Sequence, residues 1–391
     1  MANDLITDLI HHPYRPPTGF DSPAPGVYKA STVYYPDVAA MLTRDWRRRD
    51  VYNYGLLGTP TTFQLEARIA TLEGGQQCVL VPSGLAAVSV VDLALLSPGD
   101  EVLLPANVYG PSRELARHEL ARWGIKHRLY DPLDAAALAA MISPATRLLW
   151  LEAPGSVTME FPDLAGLMRA AKARGVTTAL DNTWGAGMAL RGFDHGVDIV
   201  VQALTKYPSG GGDVLMGSVV TRDKDLHETI KQTHMHLGLG VAGNDAELVL
   251  RGLASLEVRY AAQDVAGREL ARYLGAQTEV ARVLHPAMSG APGHAHWAAH
   301  CTRAAGLFSV LFDERFTQDQ VHAFVDGLKL FRIGHSWAGP VSLVVPYNLA
   351  AMREAGHGLR GHLVRFSVGL ESVEDLQADL AQSLQQAFRA P

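Results

Sequence analysis

Cysteine is nearly missing from this chain. Its two copies, Cys78 and Cys301, stand far apart in 391 residues, which excludes a disulfide framework and sets the expectation of a reducing, cytoplasmic compartment. Positive charge is also short: the net charge is −6, so nothing electrostatic points to a nucleic-acid partner. Long uncharged apolar runs are lacking. The longest apolar helix candidate, 85–96, contains Asp92 and is too short to span a bilayer, so no membrane partner is expected. The first ten residues, MANDLITDLI, carry two aspartates and no basic residue, and so lack the pattern of a secretory or transit signal. There is no internal repeat and no low-complexity linker. What is present, 48% hydrophobic against 19% charged residues, is the balance of a globular protein, long enough for two or three domains with cores of their own.

Residues 1–58 read as an irregular arm. His11, Pro13, Pro16, Pro17, Pro23 and Pro25 keep it extended, and a helix is expected only from 37 to about 49. Within it Arg47, Arg48 and Arg49 form a solvated helix face. Such an arm has no core, so it is expected to lie on another subunit, with Tyr52 and Tyr54 beside Gly55 and Gly58. Thr59 then caps a helix with Pro60 at its first position, Leu65, Ile69 and Leu72 on one face, and Gly74 and Gly75 as its stop. Short strands are expected at 78–81, 102–104, 127–130, 148–151, 176–180, 199–204 and 217–220, with helical patterns between most of them. Repeated βα units of this length predict a mostly parallel sheet covered on both faces, here a large domain over 59–255. One long helix from 245 towards 273 is expected to join it to a smaller α+β domain. That C-terminal domain, 256–391, has strands near 307–312, 343–345 and 363–368.

The chemistry concentrates at strand ends. In VDIVVQALTKYPSGGGD, 197–213, an apolar run interrupted only by Gln202 delivers Thr205 and a lone Lys206 into a glycine-rich loop. Burial disfavours the ammonium form, so an amine there can attack a carbonyl and form a Schiff base; the alternative is a solvated lysine. The run 176–180 ends in Asp181, which taken alone also suits an Asx turn or a cap. On parallel strands the two residues share the carboxyl edge, where open α/β sheets bind ligands. An amine and a carboxylate converging there match pyridoxal phosphate (PLP), which takes a lysine for its aldehyde and an anion for its pyridine nitrogen. Pro82, Ser83 and Gly84 precede a helix expected to begin at Leu85. That junction could cradle a phosphate, with the Ser83 and Thr205 hydroxyls as added donors. Tyr109, after another strand, could stack on a pyridine ring. Arg365 is a natural fork for an α-carboxylate, and Ser336 and Trp337 could supply a hydrogen bond and a wall. His296 and His300 have helical spacing, but Pro292 and Gly293 point to a loop. His234 and His236 would not share a helix face, so no metal site is expected.

Together these residues resemble the PLP enzymes of cysteine and methionine metabolism, most of all the bacterial cystathionine β-lyases. The similarity runs over about 52–374. It is most specific in EAPGSVTME from Glu152 to Glu160, in LDNTW from Leu180 to Trp184, and from Gln202 to Tyr207 around the lysine. The first of these favours the β-lyase branch, since γ-synthases and γ-lyases typically carry a Thr-Asn-Pro form of that loop. Methionine γ-lyases also usually have a cysteine where this chain has Pro111. The resemblance implies PLP fold type I, the aspartate-aminotransferase-like architecture. It implies Lys206 as the Schiff-base lysine, Asp181 as the pyridinium partner and Tyr109 as the stacking ring. Gly84, Leu85 and Thr205 would hold the phosphate, and Arg365 the α-carboxylate. Tyr54 would reach in from a neighbouring subunit of a tetramer built from dimers. The implied reaction is β-elimination of cystathionine to homocysteine, pyruvate and ammonia. The alternatives are a broader cysteine-S-conjugate lyase or desulfhydrase, a γ-lyase or γ-synthase, and a non-catalytic regulator. One departure stands out: where the family often has an arginine two positions after that tyrosine, this chain has Leu56 and Leu57 between Gly55 and Gly58.

Overall fold

Seven short strands, mostly buried on both faces except the edge strand β3, pair into the central sheet: β1 (Gln77–Val81), β2 (Glu101–Pro105), β3 (Lys126–Tyr130), β4 (Thr146–Glu152), β5 (Thr177–Asp181), β6 (Ile199–Ala203) and β7 (Gly217–Thr221). The computed structural model describes residues 4–14, 17–20, 22–48, 51–353 and 358–388. The strand order is β1-β7-β6-β5-β4-β2-β3. All strands run parallel except β7, which is antiparallel to both β1 and β6 because the chain returns from β6 without a crossover helix. Successive residues of β4 feed opposite cores. Leu149 and Leu151 join one cluster, Leu148 and Trp150 the other, and this is why the strands read as unbroken apolar runs.

Five short helices surround the functional edge or the arm: α1 (Leu5–Ile10), α2 (Val38–Leu42), α3 (Pro60–Glu73), α4 (Gly84–Leu95) and α5 (Gly110–Glu114). The reading of α3 holds in detail. Thr59 caps it in a capping box, and Gly74 ends it in the left-handed conformation. Three expectations are corrected. The arm is not irregular before residue 37: Asp4 caps α1 by accepting from the Ile6 N–H, and Leu9 is buried in the core cluster that includes Leu65. The arm's second helix is five residues long, capped by Asp37 and ended at Thr43, rather than running to about 49. Pro16 and Arg49 lie outside the described residues. The long helix over 245–273 is two, Gly243–Leu253 and Leu256–Gly275. Arg259 fills the break, donating to the Gly252 carbonyl at 2.7 Å, to Ser255 Oγ at 3.0 Å and to the Tyr207 carbonyl at 2.8 Å. The break thereby fastens the helix pair to the loop that carries Lys206.

A second sheet follows, made of β8 (Val280–Leu284), β9 (Leu307–Phe312), β10 (Arg332–Ile333), β11 (Leu343–Tyr347) and β12 (His362–Ser367), in the order β10-β11-β12-β9-β8. Its pairs are antiparallel apart from β10 with β11. Phe308, Phe312 and Phe366 pack on one face with Phe324 of the helix Gln318–Asp326. Leu311 and Leu363, from the opposite face, enter the same cluster as Leu149 and Leu180 of the large sheet. His296 and His300, expected in a loop, lie on a helix, His294–His300, because Gly293 at φ +78° supplies its N-cap. Among the described residues no helix is long and apolar enough to cross a membrane.

Candidate active site

The parallel strands deliver their chemistry to one edge. After β6, the Thr205 N–H donates to the Met216 carbonyl at 3.2 Å and the Lys206 N–H to the Ala203 carbonyl at 3.0 Å, turning the lysine off the sheet. Its Nζ donates to Ser336 Oγ at 2.6 Å and lies 5.5 Å from the Trp337 ring. Burial, helped by the Arg365 guanidinium and opposed by Asp181, brings the Lys206 amine down to about 8, so a fraction of it is free base near neutrality. Ser336 itself sits at φ +86°, a strained setting for a residue with a side chain. That bend puts its hydroxyl on Lys206 while its carbonyl accepts from Arg365 Nη2 at 3.1 Å.

Asp181 ends β5 beside this amine. Its Oδ1 accepts from the Thr183 N–H at 2.9 Å and from Thr183 Oγ1 at 2.5 Å, and that hydroxyl in turn accepts from the Ala203 N–H at 2.9 Å. Burial raises the Asp181 carboxyl, and the Thr183 bonds and Lys206 pull it back towards the ionised form. Glu152, its register partner at the end of β4, accepts from the Tyr109 N–H at 2.7 Å. Burial and the neighbouring Asp181 hold Glu152 well above the usual carboxylate range. The turn bearing Tyr109 is fixed again by Asn107. Its carbonyl accepts from the Ser156 N–H, and its Nδ2 donates to Glu160, which pairs with Arg353 at 2.5 Å.

The helix start fits an anion. α4 begins at Gly84, one residue earlier than expected, and Ser83 Oγ takes the Ala86 N–H. The Gly84 and Leu85 N–H groups fall outside the helix's own ladder. A Cβ on Gly84 would come within 2.6 Å of the Ala203 Cβ, so only glycine lets the helix start approach the end of β6. Thr205 stands beside that end, its hydroxyl donating to the Met216 carbonyl at 3.2 Å. Arg365, buried on β12, has no carboxylate partner among the described residues, and its Nε is unpaired. A nucleophilic amine, a buried carboxylate, a helix start and an unanswered guanidinium are the donor set PLP and an amino acid require.

Lys206, Asp181, Tyr109, Thr205, Ser336, Trp337 and Arg365 are thus gathered from both sheets. Tyr54 is not: it is half exposed on the arm, at the start of the turn Gly55–Leu57, and among the described residues it makes no hydrogen bond to this cluster. Sequence reasoning gave no role to Thr183, Glu152 or Glu73. Glu152 had a usable signal, because a carboxylate ending a strand parallel to the Asp181 strand must come out on the same edge. Glu73 had none. It reaches Asn182 Nδ2 at 2.9 Å, and Gln202 as well, from the far end of α3.

Fold and site together define a PLP-type enzyme, with a buried amine, Lys206, and a carboxylate, Asp181, set together on the carboxyl edge of a mixed sheet. The sequence matches, over residues 6–385, the family described as Cys/Met metabolism PLP-dependent enzyme, and the chain belongs to that family. It is 38% identical to the cystathionine β-lyase of Bordetella avium, covering 98% of this chain and 97% of that one. With the Escherichia coli cystathionine β-lyase it shares 34% identity, covering 90% and 91%. Among solved structures, the cystathionine γ-synthase of Xanthomonas oryzae superposes with a TM-score of 0.91 at 29% identity, covering 99% of both chains. The family and the fold, PLP fold type I, therefore stand as the sequence implied.

Proposed function

We propose that this enzyme is a carbon–sulfur β-lyase acting on cystathionine and releasing homocysteine, pyruvate and ammonia. The observation that carries the reading is the placement of one amine, Lys206, between an anion, Asp181, and an unpaired carboxylate fork, Arg365. The near full-length identity to curated β-lyases supports the branch. Lys206, Asp181, Tyr109, Ser83, Gly84, Leu85 and Thr205 would hold PLP, which when bound supplies an electron sink for the substrate's α-carbon. Arg365, braced by the Ser336 carbonyl, fixes the α-carboxylate and so presents the Cα–H to the Lys206 amine. That amine, free base in part near neutrality, takes the α-proton. Ser336 Oγ, already on Nζ, holds the amine in place for the transfer. The Cβ–S bond then breaks, sulfur leaves with the bonding pair and a proton, and water releases the remaining fragment as pyruvate and ammonia. Tyr54 of a neighbouring subunit would complete the site.

Leu56 and Leu57 cannot neutralise an anionic distal end, which favours thioethers less acidic than cystathionine as further substrates. The superposition on γ-synthases favours one other reading, a γ-replacement enzyme. Incubation with cystathionine separates them. Pyruvate with homocysteine is expected, and 2-oxobutyrate without pyruvate would overturn the β assignment. Turnover of S-methylcysteine equal to or above that of cystathionine would mark the broader lyase.

A further inference from the structure

Arg365 is a buried cation facing no carboxylate of the described chain; what it faces is a ring. Its Cζ lies 5.4 Å from the centroid of Tyr347. The strand register produces the contact. Val345 of β11 pairs with Arg365 of β12 and Tyr347 pairs with Leu363, so Tyr347 sits two residues along on the same face, within diagonal reach of a long side chain. Nη2 is held by the Ser336 carbonyl and Nε makes no hydrogen bond among the described residues, so the Tyr347 ring is a principal further anchor of the guanidinium. Arg365 in turn draws the Tyr347 phenol down against the burial that raises it, and Tyr109 feels both groups. Beyond Tyr347 lies a cavity of about 410 Å³ lined also by His322, Leu349, Arg360 and Leu363. Without the ring, the guanidinium has room to swing away from the site.

We propose that Tyr347 is a positioning residue for the substrate: its ring buttresses Arg365 and keeps the fork aimed at the incoming α-carboxylate. This rests on the reading of Arg365 given above as the carboxylate site. A cation–π contact in a desolvated setting, together with the loss of a fixed rotamer, sets the expected effect on carboxylate binding at about tenfold. The hydroxyl has no part in it, so phenylalanine should serve as well.

The test uses holoenzyme and two probes differing only in the carboxylate, L-alanine and ethylamine, each titrated by the absorbance shift of the bound cofactor. Tyr347→Leu is expected to weaken L-alanine about tenfold and ethylamine by no more than about twofold, while Tyr347→Phe keeps L-alanine within about twofold of the parent. Unchanged L-alanine affinity in Tyr347→Leu, equal losses for both probes, or a Tyr347→Phe variant as weak as Tyr347→Leu would each overturn the inference. Arg365→Lys is measured alongside. If it too leaves L-alanine unaffected, the carboxylate reading of Arg365 fails; if it weakens L-alanine while Tyr347→Leu does not, only the role of Tyr347 fails. Should Tyr347→Leu not yield folded holoenzyme, Tyr347→Met is read the same way.

Discussion

At the scale of single residues, the account turns on charge states set by burial. Lys206 is held to about 8, so uptake of pyridoxal phosphate by cofactor-free protein should quicken as pH rises towards 8 and level off above it. A flat profile from pH 6 to 9, followed by stopped-flow absorbance, would show that the amine is not titrating there. The proposed role of Asp181 requires its ionised form, which two bonds from Thr183 favour. Asp181→Asn keeps the shape and removes the anion. Turnover should fall by at least about a hundredfold while thermal stability holds or rises, since a raised buried carboxylate is removed. These two residues were legible in the sequence because each ends an apolar run, and parallel strands leave their ends only one edge to share. Tyr347 and Glu73 were not: each acts through a contact with a residue on another element, which no local pattern records.

At the scale of elements, the ends of α3, β5 and β6 are pinned by one buried carboxyl. Glu73 accepts from Asn182 and Gln202, and burial raises it from 4.5 to about 7. Between those two values the folded chain holds a proton that the unfolded chain has released, so stability falls as pH rises through the window and is lowest above 7. Glu73→Gln should remove on the order of 2–3 kcal/mol of that dependence, measured by urea unfolding at pH 5 and pH 7.5. An unchanged slope would mean that Glu73 is ionised throughout. Ten of the twelve strands were anticipated in the sequence. The two missed, β8 and β10, carry exposed residues such as Arg282 and Arg332, so neither has a clean apolar signature. The break at Ala254 and Ser255 escaped because neither residue is a proline or a glycine, and Gly252 just before them lies within the helical pattern. Arg259, reaching back to Gly252 and across to Tyr207, makes it instead.

At the scale of the whole molecule, one site draws on both sheets: Lys206 and Asp181 from the first, Arg365 and the Ser336 loop from the second. The arm lies apart from it. Tyr34 is 90% exposed, Leu42 74% and Val38 67%, an apolar set suited to a second copy of the chain. Sedimentation should give a particle at least twice the chain's mass, and Tyr34→Ser with Leu42→Asp should shift it towards the monomer with loss of turnover, as Tyr54 would then be withheld from its neighbour's site. A fully active monomer would contradict that arrangement. The central claim concerns one nitrogen among the chain's seven lysines. Borohydride reduction of the holoenzyme followed by peptide mapping surveys all seven at once. The account predicts a single reduced pyridoxyl adduct on Lys206, and an adduct on another lysine, with Lys206 unmodified, would contradict it.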